Sequence, residues 1–215
     1  MKNGIFVNKI VNTVYASNTY IITSYDNANV DVWIIDVGDI EPIVGILPEM
    51  AQLKGILLTH THYDHIYGIN NFLQKFPNAK VYTNAYGKQA LLSPKLNYSK
   101  YHLGVEDIVC NKPENIELVD DGMTIPILMD GYIQIIATPG HDESCLTYIV
   151  GDYVFSGDSY IPKIQTRATF ILSDKAKVSS SELIIINKSI HHILCPGHGP
   201  VYEDFNELDD DFRYR

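Results

Sequence analysis

Short apolar or alternating runs punctuate the first third of the chain, over residues 5–11, 18–23, 32–37 and 55–59. Runs of this length, rich in Ile, Val and Tyr and bounded by Asn, Asp and Gly, predict strands. Beyond Thr59 the period changes. Ile66, Ile69, Phe72, Leu73 and Phe76 recur at three- and four-residue spacings up to Pro77, which predicts one amphipathic helix and its stop. A short strand over 81–83 and a helix over 86–92 come next. Residues 93–113 mix Pro, Gly, Asn, Tyr and Lys without a period, the pattern of a surface excursion that could cover a site.

The second half repeats this style. Runs 125–129 and 132–137 flank Asp130-Gly131, and runs 146–150 and 153–156 flank Gly151-Asp152, predicting two hairpins in an antiparallel meander. Ser179-Ser180-Ser181-Glu182 has the form of a capping box opening a helix to about Ser189. A last buried strand over 193–195 is then halted by Pro196-Gly197. Strands then helix, twice over, predicts two similar halves. At 215 residues the natural expectation is a single domain over residues 1–215.

Composition narrows the partners. Sixteen Lys+Arg against 26 Asp+Glu give a formal charge of -10, which argues against the broad basic footprint of a nucleic-acid binder. The tail from Glu203 to Arg215 carries six of those acids and two arginines, and is most simply a solvated end. Cys110, Cys145 and Cys195 are odd in number and form no CxxC, so a reducing compartment fits better than a disulfide framework. No segment approaches the roughly 20 apolar residues that span a bilayer, and residues 1–9 hold no signal-like apolar stretch. The expectation is a cytoplasmic protein without a membrane partner; its oligomeric state is left open.

The chemistry concentrates in His60-Thr61-His62-Tyr63-Asp64-His65, set between an apolar strand and a helix. An HxHxDH pattern arises by chance in roughly one in a thousand chains of this composition. In an extended segment His60 and His62 point the same way, while Asp64 and His65, at the turn into the helix, can aim at an adjacent point. Three further candidates each end a predicted strand: His141 in Thr138-Pro139-Gly140-His141, Asp158 in Ser156-Gly157-Asp158, and His198 in Pro196-Gly197-His198. Imidazole and carboxylate hold Zn, Fe or Mn, and adjacent Gly or Pro lets a tight loop bring each side chain to a common point. Scattered surface histidines would not combine motif, order and strand-end placement.

These residues, together with Asn18-Thr19-Tyr20 and Ile35-Asp36-Val37-Gly38, resemble the metallo-β-lactamase fold superfamily, and within it the glyoxalase-II-like hydrolases. The resemblance spans most of the chain. It implies an α/β (α+β) fold, a four-layer αββα sandwich with the site at one sheet edge. It would place His60, His62 and His141 on one divalent ion, Asp64, His65 and His198 on a second, and Asp158 between them. Zinc is the first expectation, with iron or manganese as alternatives. A bridging aspartate is similar to the hydrolase branch rather than to the superfamily's lactamases, and Asp36 resembles a buttress of the ligand loops. His62 stands where flavodiiron proteins carry Glu.

The chain also departs from that pattern. Tyr67-Gly68 follows the motif where two glycines are frequent, and Asp142-Glu143-Ser144-Cys145 follows His141 where ThrProGlySer is frequent. Only 17 residues (215 minus 198) follow His198, whereas glyoxalase II carries a helical extension that helps hold glutathione. Substrate contacts therefore fall to loops such as 93–113.

The implied activity is a metallohydrolase of the dinuclear zinc type, cleaving an ester, thioester or lactone of a small acyl substrate with a metal-bridged hydroxide. Asp64 would be ligand and catalytic base, orienting the hydroxide and taking its proton after attack. Alternatives are a mononuclear-iron persulfide dioxygenase using His60, His62, His141 and Asp158, a phosphodiesterase or nuclease of the same fold, and a metal-holding protein without turnover. Among weaker features, Tyr160 could meet a substrate oxyanion and Lys163 and Arg167 an anionic tail. His102, with Tyr98 and Tyr101, is expected in a solvent-facing loop, His191 and His192 at a helix end, and Cys145 and Cys195 as inert core thiols.

Overall fold

A computed structural model describes residues 4–25, 29–49, 51–127, 131–168 and 173–203. The first sheet contains β1 (Gly4–Val11), β2 (Asn18–Tyr25), β3 (Val30–Ile35), β4 (Ala51–Leu57), β5 (Lys80–Thr83) and β6 (Ile116–Leu118), in that spatial order. The first three pair antiparallel, whereas β3 to β6 run parallel because helices cross between them. These are α1 (Ile40–Ile46), α2 (Tyr63–Ile66), α3 (Ile69–Lys75) and α4 (Ala85–Leu91).

The second sheet has the order β11-β10-β9-β8-β7, built from β7 (Thr124–Ile127), β8 (Gly131–Ala137), β9 (Leu146–Val150), β10 (Tyr153–Gly157) and β11 (Ile193–Pro196). The meander holds from β7 to β10. β11 then joins parallel to β10, because α5 (Lys175–Ser189) carries the chain back across the sheet before it enters.

The central strands of each sheet are buried on both faces, and this produces the layers. Tyr20, Ile22, Trp33, Ile35 and Leu57 on the first sheet meet Ile133, Ile135, Leu146, Tyr148 and Phe155 on the second. The alternate residues Ile21, Val32, Ile34 and Ile56 turn outward onto Ile43, Ile66, Ile69, Phe72 and Leu73 of the helices. On the far side Ile149, Val154 and Leu194 pack on Ile185 and Ile186 of α5. The result is the αββα sandwich, the period-2 alternation of each strand serving two cores.

Several boundaries differ from the sequence expectation. The single helix expected through 66–76 is two helices, since Gly68 N–H donates to the Val37 carbonyl at 3.1 Å and the His65 carbonyl accepts from Val37 N–H at 2.9 Å, so both backbone groups turn to the loop after β3 instead of continuing the helix. A Cβ at Gly68 would lie 1.9 Å from the Gly38 carbonyl oxygen, whereas Tyr67 has room for its side chain and sends its hydroxyl to Asp39 Oδ1 at 2.6 Å. α5 does not open at Ser179. Asp174 caps it, accepting from the backbone of Ala176 and Lys177, while Ser179 and Ser180 bond back to Lys175 and Ala176 carbonyls inside the helix. β4 begins four residues before Gly55, where Gln52 and Lys54 interrupt the apolar run. The turn expected at Asp130-Gly131 lies partly outside the described residues. Among the described residues no helix is long and apolar enough to cross a membrane. All three cysteines are free and buried.

Candidate metal centre

The C-terminal ends of β4, β8, β10 and β11 deliver the seven predicted residues to one edge of the sandwich. His60 and His62 come from the β4–α2 connection, Asp64 and His65 from α2 itself, His141 follows β8, Asp158 follows β10 and His198 follows β11. The structure brings all seven together.

They fall into two groups whose ligand atoms lie within 4.8 Å of one another: His60, His62 and His141, and Asp64, His65 and His198. His62 Nδ1 stands 3.0 Å from His141 Nε2, and His65 Nε2 stands 3.3 Å from His198 Nε2. Asp158 lies between the groups. One carboxylate oxygen is 3.5 Å from His65 Nε2, and the other is 3.7 Å from His141 Nε2 and 3.4 Å from His198 Nε2. Asp64 Oδ2 is 3.4 Å from both His65 Nε2 and His198 Nε2.

Backbone geometry aims these side chains. Gly157 has φ 53°, and a Cβ there would lie 2.5 Å from Thr59, so the bulge that turns Asp158 inward requires glycine. At Gly197 a Cβ would lie 2.1 Å from Asp158 Oδ1. Asn18 and Tyr20 tie down the 196–199 turn by donating to the Pro196 carbonyl, at 2.9 and 2.7 Å. Ser17 Oγ donates to the Asp64 carbonyl at 2.8 Å.

The donor set fits divalent cations. His60 Nδ1 is engaged by Thr59 Oγ1 at 3.2 Å, while its buried Nε2 has no hydrogen-bond partner among the described residues. His141 gives Nδ1–H to the Arg167 carbonyl at 3.0 Å, and the outer nitrogen of His62 faces the Asp142 carboxylate at 3.7 Å. In the tautomers that place both protons outward, lone pairs of His62 Nδ1 and His141 Nε2 face one another. Their 3.0 Å separation is close to the edge of a tetrahedron of zinc–nitrogen bonds, about 3.3 Å.

Charge in the metal-free cluster is divided. Burial depresses His60 and His141, the latter to about 4, with neighbouring histidines adding to the effect. Burial also opposes charge on His65 and His198, but the carboxylates overcome it. Asp64, Asp158 and Asp36 raise His65 to about 9, and hydrogen bonds donated to Asp158 and Asp64 raise His198 to about 10. The same histidines hold Asp158 well below the usual carboxylate range and Asp64 below it, against the desolvation of both.

A cavity of about 620 Å³ opens onto the cluster. It falls in the range of small-molecule sites. Tyr15, Tyr63, Tyr98 and His102 form one wall, and Ile161, Ile164, Thr166 and Arg167 another. The 93–113 excursion does cover the site. It is firm, because buried Asn97 donates to the Ala90 and Ile108 carbonyls at 3.0 and 2.8 Å.

Some weaker expectations change. His102 is a cavity wall rather than a solvent-facing residue: it stacks on Tyr63 at 3.9 Å, and Tyr15 hydroxyl meets its Nδ1 at 3.2 Å. Tyr101 is exposed, as expected of that loop. Tyr160 turns away from the cluster into the α5 core with Ile149 and Ile185, and Lys163 is exposed outside the cavity lining. Arg167 does line it. Burial raises the Cys145 and Cys195 thiols, the latter to about 12, consistent with inert core residues.

Sequence reasoning missed the supports. Asn12 donates to Ser17 Oγ and Thr19 Oγ1, and Ser144 Oγ accepts from the Thr61 backbone N–H at 3.0 Å. Such small polar residues have no signal of their own in a single sequence, since turns use them everywhere.

Two packed sheets with helices outside, and a histidine–aspartate cluster at the strand ends, define a metal-binding domain of the hydrolase type. The chain belongs to the metallo-beta-lactamase superfamily, whose family profile matches residues 13–198. It is 30% identical over 146 residues to hydroxyacylglutathione hydrolase of Pseudoalteromonas translucida (strain TAC 125), covering 66% of this chain and 47% of that protein. The chain thus spans about half the length of this curated relative. Among solved structures, BLEG-1 B3 metallo-beta-lactamase superposes with a TM-score of 0.80 at 26% identity, covering 91% of this chain and 93% of the other. TTHA1623, solved in a di-iron-bound form, superposes with a TM-score of 0.74 at 20% identity over 90% and 93% of the two chains.

Proposed function

We propose that the protein is a metallohydrolase with two divalent ions, zinc in the first instance, that cleaves an ester, thioester or lactone of a small acyl compound. The observation that carries the proposal is the position of Asp158, whose carboxylate oxygens lie 3.4 to 3.7 Å from histidines of both three-residue groups. His60, His62 and His141 would hold one ion, Asp64, His65 and His198 the other, and Asp158 both.

Two ions so held supply a hydroxide at neutral pH and an electrophile for the acyl oxygen. The protein's own residues do the rest. Asp64, which lines the cavity and engages His65 and His198 through Oδ2, receives the nucleophile's proton on its other oxygen. Tyr15, Tyr63, Tyr98 and His102 bind the organic part of the substrate against an aromatic wall and exclude water from that side. Arg167 lines the cavity and offers a cation to an anionic group of the substrate. The relationship to a hydroxyacylglutathione hydrolase supports acyl thioesters as the first class to assay.

The test couples metal analysis of the purified protein to a panel of thioesters, lactones and phosphodiesters. About two zinc ions per chain, with acyl turnover abolished by chelation and restored by metal, are expected. One iron per chain with sulfur-dependent oxygen uptake, or turnover confined to phosphodiesters, would overturn the proposal.

A further inference from the structure

Asp142 immediately follows His141, a residue of the first metal group, and is 1% exposed. Its two carboxylate oxygens are used differently. Oδ1 accepts from the Ser144 backbone N–H at 2.8 Å and from the Ser144 hydroxyl. Ser144 Oγ in turn accepts from Thr61 N–H at 3.0 Å, so one short network joins the loop carrying His141 to the loop carrying His60 and His62. Oδ2 is also buried, has no hydrogen-bond partner among the described residues, and lies 3.7 Å from His62 Nε2. A turn cap requires only Oδ1. Among the described residues the ionisable partner that Oδ2 faces at 3.7 Å is the His62 ring, and a buried charge left without an answering group is costly.

We infer that Asp142 is the positioning residue of the first metal site: its carboxylate holds the His62 ring by Nε2–H, so that the Nδ1 lone pair stays turned toward His141 and the ion. This inference rests on the metal centre proposed above. A carboxylate behind a metal-bound imidazole fixes the tautomer and makes the ligand more basic. Here the placement decides which nitrogen is available, because Nδ1, not Nε2, is the atom 3.0 Å from His141 Nε2.

Asp142→Asn separates the two roles. Asparagine keeps an oxygen to cap Ser144 but can turn an amide N–H2 toward Nε2, which favours the proton on Nδ1, the metal-binding atom. Zinc affinity is measured by chelator competition, and the His62 tautomer by 15N NMR of the metal-free and zinc-loaded protein. Asp142→Asn is expected to weaken the first zinc by roughly 10- to 100-fold and to shift the His62 nitrogen signals toward the Nδ1–H form. Asp142→Glu should recover part of both, and Ser144→Ala, which keeps the charge, should cost only a few-fold. Unchanged affinity and unchanged nitrogen signals in Asp142→Asn would overturn the inference. If the unaltered protein bound no divalent ion, the metal centre itself would fail instead, and the two outcomes are distinct.

Discussion

Asp36 and His65 are joined by a 2.8 Å hydrogen bond from imidazole Nδ1–H to carboxylate Oδ2, with both side chains fully buried. The same carboxylate accepts from Thr59 N–H at 2.7 Å and Thr59 Oγ1 at 2.6 Å, immediately before His60. Asp36 adopts φ 54° to reach this position, a backbone conformation that few residues other than glycine, asparagine and aspartate take readily. One buried carboxylate thereby fixes a ligand ring and the start of the ligand loop.

Replacing Asp36 by alanine strands the Thr59 N–H and the His65 ring in a dry interior. The expected cost to the metal-free protein is roughly 3–5 kcal/mol, the range for breaking a buried pair. Affinity for the ion at Asp64, His65 and His198 should fall roughly 10- to 100-fold. Thermal unfolding and metal titration of Asp36→Ala check the two effects separately, and a variant with unaltered second-ion affinity contradicts the buttress role.

Asp158 serves both groups, so its loss should not resemble loss of a one-sided ligand. Asp158→Ala is expected to lose both ions and all turnover, whereas His60→Ala should chiefly lose the ion shared with His62 and His141. Each should exceed the roughly 10- to 100-fold cost of removing an outer partner. Metal content per chain decides between them: full content with normal turnover in Asp158→Ala rules out the shared position.

Gly197 offers a test that removes no ligand. A methyl group there would stand 2.1 Å from Asp158 Oδ1, while the backbone is not in a conformation reserved for glycine. Gly197→Ala should therefore displace the carboxylate, cut metal affinity and turnover sharply, and leave the circular dichroism spectrum of the fold intact. Normal metal binding would show that the turn can yield.

The ligands are legible in the sequence because histidines and aspartates cluster at strand ends and in the HxHxDH run, and the central strands are legible because they are buried on both faces. The helix boundaries are less so. The two-helix break at Gly68 depends on backbone bonds to Val37, 31 positions earlier, and α5 opens at Lys175 because the Asp174 carboxylate caps it, which leaves the serines at 179–181 inside the helix. No local pattern reports either. His102 escapes sequence reading for the same reason: its role as a wall comes from Tyr15 and Tyr63, which are remote in sequence.

The aromatic wall predicts a binding effect more than a chemical one. The Tyr98 ring meets His62 edge-on at a centroid distance of 4.9 Å and faces the cavity. Tyr98→Ala should raise KM by roughly 3- to 10-fold, in line with loss of one aromatic contact of about 0.5–1.5 kcal/mol, with a smaller change in kcat. Tyr98→Phe should retain most of the affinity. A fall in kcat at constant KM would instead place the Tyr98 hydroxyl in the chemistry.

The two ion sites should respond differently to pH. In the metal-free protein His65 and His198 are raised to about 9 and about 10, so both are protonated at pH 7 beside ionised Asp64 and Asp158. Groups with raised values stabilise the fold fully below the ordinary histidine value of about 6.5 and cease to do so as pH rises through 9 to 10. The depressed carboxylates act oppositely, contributing above about pH 4 and losing their effect as pH falls through their folded values. His60 and His141, held below their usual value, cost stability as pH falls below about 6.5, so metal-free stability from this cluster should peak near pH 6.5. An ion entering at Asp64, His65 and His198 must displace two protons, so its affinity should rise by up to roughly a hundredfold per pH unit from 7 toward 9. His60 and His141 are held below their usual value and are neutral at pH 7, so they release none. Calorimetric zinc titrations in buffers of different ionisation enthalpy should show one event with little proton release from these ligands and a second releasing about two protons. Two events with equal, small proton release would refute the assignment of charge to the second site.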